Sequence, residues 1–352
     1  MNKTLLIVVV VIAAILIGVL GYYFTTQTQQ QTTQTTTTVE KAEIDFYTSM
    51  PKDIASELVK MFEEKYPNIK VNLYRSGTSK VLAKLQAEIE SGKIICDVVW
   101  IADPSGIIKL KNQGLLLKFT PADADKIKYK DPDGYWYAGR IIIPILAWNT
   151  NIIKNNPPTK WIDLASPEYK SKLPSPWNTA ETWAAIPNPL YSGAATATVY
   201  VLVDKYGWDY YKNLKSNGVT VVKSNGVVLN GIINGEYPVG VTLDYMVRQK
   251  KAAGEPVDYN FPEDGVIVIP SPIAIMKDTP YPDAAKKFVD FLLSKEVQEW
   301  LVQKGFIPAR TDVNPPSDVP DFSKLNVVSV DWDKLAKEME NIRSQFEEIM
   351  LK

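Results

Sequence analysis

The chain contains no histidine and a single cysteine, Cys96. Without histidine there is no Ser-His-Asp or Cys-His catalysis and no His-ligated zinc, and one cysteine leaves no internal disulfide. Cys96 precedes the strand-like run "DVVWI" and reads as a small buried apolar side chain. An excess of charge of either sign is also missing, since 39 Lys and Arg stand against 40 Asp and Glu. No basic field is available to hold a nucleic-acid backbone, so nucleic acid is not an expected partner. The sequence shows no Walker-type phosphate loop, nucleophile motif or metal-ligand cluster, so neither an enzyme nor a cofactor is expected.

What is present begins with an uncharged apolar run from Leu5 to Phe24, close to the ~20 residues that cross a bilayer. It ends in Gly21-Tyr22-Tyr23-Phe24, aromatics suited to a membrane interface, and no lipid-accepting cysteine follows it. Residues 1–24 are therefore expected to be a retained transmembrane anchor in preference to a cleaved signal, with Lys3 weakly placing the amino terminus inside. The next stretch, "TTQTQQQTTQTTTT", cannot bury enough surface to offset its ordering entropy, so residues 25–41 read as a flexible linker. The expected location is the cell membrane, single-pass, with the folded body on the extracytoplasmic side.

From Ala42 short apolar strands alternate with amphipathic helices. "AEIDFYTS" and "IKVNLY" read as strands around a helix whose face carries Ile54, Leu58, Met61 and Phe62. "RSGTSKVLAKLQAEIESGK" reads as a second helix stopped at Gly92, and "DVVWIADP" as a buried strand running into a turn. This spacing predicts an open, mainly parallel α/β sheet with a ligand crevice at the carboxyl ends of its strands. A second alternating set follows, bracketed by two proline-bearing apolar strands, "RIIIPILAWNT" and "GVIVIPSPIAIMKD", which look like crossings between two lobes. "YPDAAKKFVDFLLSKEVQEWLVQKG" reads as one long amphipathic helix, and Asp331 to Lys352 as a last one.

Six segments, "RSGTSKVLAKLQAE", "DVVWIADPSGIIKLKNQGLL", "IPNPLYSGAA", "NGEYPVGVTLDY", "VIVIPSPIAIMKD" and "YPDAAKKFVDFLLSKEVQEWL", resemble in that order the solute-binding proteins of ABC importers. The subgroup they are most similar to is the one labelled iron(III), phosphonate or sugar-phosphate binding. The resemblance implies a two-lobed, periplasmic-binding-protein-like clamshell: first lobe from 42–143 and 272–352, second lobe from 144–271. It also implies a monomer that closes on a ligand by hinge motion and docks on a permease driven by an ATPase.

Four loops place short polar side chains and free N–H groups where a strand gives way to a helix: Tyr47-Thr48-Ser49, Ser76 to Ser79, Ala102 to Ser105, and Ser192 to Thr196. A helix start is an anion site in waiting, although plain capping by Ser or Thr is the favoured reading of any one loop; it is the presence of four that points to some of them facing ligand. The resemblance assigns ligand contact to Ser49, Gly77, Thr78, Ser192, Gly193 and Ala194. Asp244 and Tyr245 fall where iron-binding members carry adjacent tyrosines. Replacement of the first by aspartate, in a chain without histidine, favours a small organic anion over ferric iron, with Asp244 and Tyr245 contacting ligand polar groups; a strand end that caps the next helix is the other reading of the pair. Iron held by Asp244 and Tyr245 remains the alternative, and a surface sensor or hydrolase a more distant one. Trp100 and Trp148 could wall the cleft or sit in the core. Arg75 and Arg140 could meet an anion or pair with a surface carboxylate, and Tyr210-Tyr211 reads as helix packing.

Overall fold

The computed structural model describes residues 41–352. The anchor expected over residues 1–24 and nearly all of the linker lie outside them. Among the described residues no helix is long and apolar enough to cross a membrane.

Two five-stranded sheets organise the chain. The first runs β2 (Ile69–Arg75), β1 (Ala42–Thr48), β3 (Val98–Trp100), β11 (Ile269–Ile275), β4 (Tyr137–Ile142). The second runs β7 (Val219–Val222), β6 (Ala184–Pro187), β8 (Val239–Leu243), β5 (Pro144–Asn149), β9 (Val257–Asn260). Three neighbouring strands in each are parallel, as the strand-helix alternation predicts, but β11 and β5 run antiparallel to both of their neighbours. The sheets are therefore mixed, because the two strands that carry the chain across enter from the opposite end. "RIIIPILAWNT" is two strands, β4 in the first sheet and β5 in the second, separated only by Ile143. Pro144 opens β5, where its missing N–H costs no ladder bond inside a strand.

Period-two alternation decides what each face of the first sheet buries. Ile44, Phe46, Val98 and Trp100 belong to the large core, where Phe46 meets Phe288 at 5.0 Å and Phe288 meets Phe62 at 4.8 Å. Tyr47, Val99 and Ile101 point to the other face with Val81, Leu85 and Ile107, from the helices Thr78–Glu90 and Pro104–Asn112. The register sets Thr48 level with both Arg75 and Trp100, so three parallel strands end at one height. The "YPDAAKKFVDFLLSKEVQEWLVQKG" segment forms two helices, Pro282–Leu293 and Lys295–Gln303. Ser294 is extended between them and its hydroxyl accepts from the Val297 N–H, a cap that ends one helix and starts the next.

The last helix, Trp332–Met350, is capped by Asp331, which accepts from the Lys334 N–H at 2.8 Å. Its buried stripe of Leu335, Met339, Ile342, Phe346 and Met350 packs against helices of both lobes: Pro104–Asn112 in the first, Gly193–Tyr206 and Asp209–Ser216 in the second.

Candidate functional site

Between the two sheets lies a cavity of about 280 Å³. Its walls are the carboxyl ends of six parallel strands, three from each sheet. After β1 comes Ser49, after β2 Gly77 and Thr78, and after β3 Ala102; after β6 come Tyr191, Ser192 and Ala194, after β7 Ser224 to Gly226, and after β8 Tyr245 and Met246. The lining contains two arginines, Arg75 and Arg140, and no aspartate or glutamate.

Four helices begin on this cavity. Gly77 precedes the helix Thr78–Glu90 and offers no side-chain cap. Ser192 caps Gly193–Tyr206, accepting from the Ala195 N–H, and Ser224 caps Asn225–Ile233, accepting from the Val227 N–H. The fourth start is the first turn of Asp244–Ala252, which supplies Tyr245 and Met246. Each start carries free N–H groups and a partial positive charge, so together they make a positive interior. Asn225 Nδ2 donates to Ser192 Oγ at 3.0 Å and ties two of these starts together. Ser49 Oγ accepts from the Ala102 N–H at 3.0 Å and ties two loops of the first sheet.

Arg140 dominates the electrostatics. It is 2% exposed, and its Nε and Nη1 have no hydrogen-bond partner. Its guanidinium lies 4.8 Å from the Phe306 ring centroid, 5.1 Å from that of Tyr245 and 5.9 Å from that of Trp100. Burial pushes its pKa down, with Tyr245 pulling the other way. Arg75 is the second cation, and its Nε is held by the Met50 carbonyl at 2.7 Å. A buried guanidinium with unpaired donors costs several kcal/mol unless an anion completes it, so the cavity is built to receive negative charge. Burial raises the Tyr245 phenol, and Arg140 opposes that rise, so the ring stays a neutral donor at ordinary pH.

The residues singled out in the sequence divide into three groups. Ser49, Gly77, Thr78, Ser192, Ala194 and Tyr245 line the cavity. Gly193 does not line it but sits on the seam between the lobes. A Cβ there would meet Thr78 Cγ2 and Asp103 Cβ at 2.7 Å and the Ala102 carbonyl at 2.9 Å. Gly77 has a similar role as well, since its Cβ would enter the Tyr191 ring at 2.5 Å, and the Ser79 N–H reaches the Tyr191 carbonyl at 3.4 Å. The lobes are thus shut against each other.

Asp244 corrects the sequence reading. Its side chain is fully buried and absent from the lining; it accepts from the Ile143 N–H at 2.9 Å and from Arg248 at 3.2 Å. Ile143 is the lone residue between β4 and β5, and it also accepts from the Asp244 N–H at 3.0 Å. The carboxylate therefore clamps the crossover. Arg248 extends the clamp to Asp318 at 2.9 Å and to the Gly305 carbonyl, both on the far side of the crossing. Trp100 and Trp148 are core residues, and Tyr210 and Tyr211 are buried in helix packing. Arg75 and Arg140, read in the sequence as meeting either an anion or a surface carboxylate, both line the cavity, and the Ser224-Asn225-Gly226 turn is the contact that reading lacks. The turn carries the usual signal, a serine before an apolar helix.

The sequence model of the family described as bacterial extracellular solute-binding protein matches residues 43–299. An uncharacterized protein of Haemophilus influenzae is 25% identical over 84% of this chain and 86% of its own length. Iron uptake protein A1 of Synechocystis is 22% identical over 84% of each. The solved periplasmic binding protein AfuA of Actinobacillus pleuropneumoniae, with fructose-6-phosphate bound, superposes with a TM-score of 0.78 at 25% identity, covering 89% of this chain and 99% of that one.

Proposed function

Since the chain belongs to the bacterial extracellular solute-binding protein family, we propose that its cavity takes a small organic anion of the phosphate or phosphonate type for delivery to an ABC permease and its ATPase. The protein binds and hands over this cargo and performs no catalysis. The observation that carries the reading is Arg140, a buried cation whose Nε and Nη1 lack partners in a cavity with no carboxylate. A tetrahedral anion would meet that guanidinium on one side. It would meet the free N–H groups at Thr78, Ala194 and Gly226 on others, the chemistry helix starts supply to phosphate.

Ferric iron fits the same residues poorly. The lining provides Tyr191 and Tyr245 as the only phenols, Asp244 is spent on the crossover, and an added cation would face Arg140 and Arg75. Among the described residues no group of three or more His, Cys, Asp and Glu is placed to hold a metal. Relatives whose descriptions carry iron and a sugar phosphate are similar at comparable identity, so similarity does not choose between them; the charge of the lining supports the anion. The run from Leu5 to Phe24 and the Thr/Gln-rich stretch after it support a body tethered to the membrane on the extracytoplasmic side.

Thermal denaturation of the full chain tests the ligand class. A ligand at 100 times its Kd stabilises by about 2.7 kcal/mol. Fructose 6-phosphate, a short alkyl phosphonate or inorganic phosphate should raise the Tm, and putrescine and ferric citrate should not. Stabilisation by ferric or cationic solutes alone would overturn the proposal.

A further inference from the structure

The final helix is fixed to both lobes. Toward the second lobe Phe346 packs edge-on against Tyr211 at 5.4 Å, Lys334 lies over Tyr200, and Lys215 Nζ donates to the Ile349 carbonyl at 2.9 Å. Toward the first lobe it packs on the helix Pro104–Asn112, and beside that contact lies a gap of about 240 Å³ with Ser79, Leu82, Leu110, Met339, Glu340 and Arg343 among its walls. The helix therefore lies across the seam between the lobes.

One side chain spans that seam. Arg343 Nη2 donates to Ser79 Oγ at 3.1 Å, and its Nε donates to Thr196 Oγ1 at 3.3 Å. Ser79 belongs to the first turn of a first-lobe helix and Thr196 to that of a second-lobe helix, and the starts of both helices line the cavity. The carboxylate within ion-pair reach of Arg343 is Glu340, 3.9 Å away and 76% exposed, so it competes weakly. Asp103, buried at the same seam with Oδ2 unpartnered, also feels the guanidinium.

We propose that Arg343, carried on a helix that lies across both lobes, latches the closed cleft by holding Ser79 and Thr196 together. Opening draws the two hydroxyls apart, so Arg343 cannot keep both bonds. Arg343 never reaches the cavity, yet it fixes the spacing of two anion-facing helix starts and adds a permanent cation behind them. It is a positioning residue, and its effect falls on the open-to-closed ratio, and through that on the ligand off-rate.

The test uses the full chain in detergent with spin labels on Lys93→Cys and Lys154→Cys, exposed sites on opposite lobes; the native Cys96 is buried and spared. Interlobe distance distributions are compared for the parent, Arg343→Met and Ser79→Ala. Both variants should shift the open-to-closed ratio toward open by about tenfold, the scale of one hydrogen bond to a charged group. Fructose 6-phosphate, if bound, should leave both faster by a similar factor. Should Arg343→Met fail to fold, Ser79→Ala decides alone, since it removes only the lobe-bridging acceptor. Unchanged distributions in both, or a shift in Arg343→Met without one in Ser79→Ala, overturn the latch. The distances are read without ligand, so failure of phosphates to bind would count against the proposed cargo and not against the latch.

Discussion

Replacing Arg140 by methionine should move affinity and stability in opposite directions. The guanidinium is 2% exposed, and two of its donor nitrogens are unpartnered without ligand. In the free protein its removal therefore breaks no ion pair and discards a desolvated charge, offset by the contacts it makes with Phe306, Tyr245 and Trp100. Exchanging buried charge for a well-packed apolar side chain is often neutral or stabilising by about 1–4 kcal/mol. With an anion bound, Nε and Nη1 would each make a charge-assisted bond worth about 1.5–3 kcal/mol, so their loss should weaken binding by roughly a hundredfold to ten-thousandfold. Isothermal titration with fructose 6-phosphate or an alkyl phosphonate reads the first effect, and the Tm of the ligand-free chain reads the second. Unchanged affinity would refute the role given to Arg140. A Tm that falls by several degrees without ligand would show that the guanidinium is a structural group.

Three further outcomes follow from particular contacts. Asp244→Ala leaves the Ile143 N–H unpaired and strips Arg248 of one partner, so it should cost about 3 kcal/mol of stability in denaturant unfolding; a loss of affinity with stability intact would restore Asp244 to the ligand. Gly193→Ala puts a methyl against the Ala102 carbonyl across the seam and should weaken binding tenfold or more by blocking closure, while the Tm without ligand stays within a degree or two. Equal loss of both would place Gly193 in the fold alone. Burial raises the Asp103 carboxyl, so its penalty is absent in acid below its unfolded pKa and complete above its folded one. The Tm advantage of Asp103→Asn over the parent should accordingly grow from pH 4 to pH 8, and a flat difference would mean that Asp103 is fully compensated in the folded chain.

The alternation of strands and helices was readable because burial on a pleat and on a helix leaves different periods, and the crossover at Pro144 because proline sits poorly inside a strand. Ser192 was readable as a cap, and the same signature at Ser224 was there to be used. Asp244 and Tyr245 were misread as a pair. Successive residues on a helix do not face the same way, so Tyr245 meets the cavity and Asp244 meets the crossover. The break at Ser294 was hidden because apolar periodicity runs straight through it. The neighbourhood of Arg140 left open whether it meets an anion or a surface carboxylate. What makes it unusual is the convergence of Trp100, Tyr245 and Phe306 from three distant segments, a tertiary fact with no local trace. The stripe on the last helix was likewise visible, but not the two lobes it covers.

The central question is what occupies the positive cavity. Native mass spectrometry and elemental analysis of the full chain, recovered without dialysis, answer it in one measurement. A bound small anion with about one phosphorus per chain and no iron is expected. One iron per chain with a visible phenolate band, or a cationic ligand, would contradict the reading of Arg140 and the cavity around it.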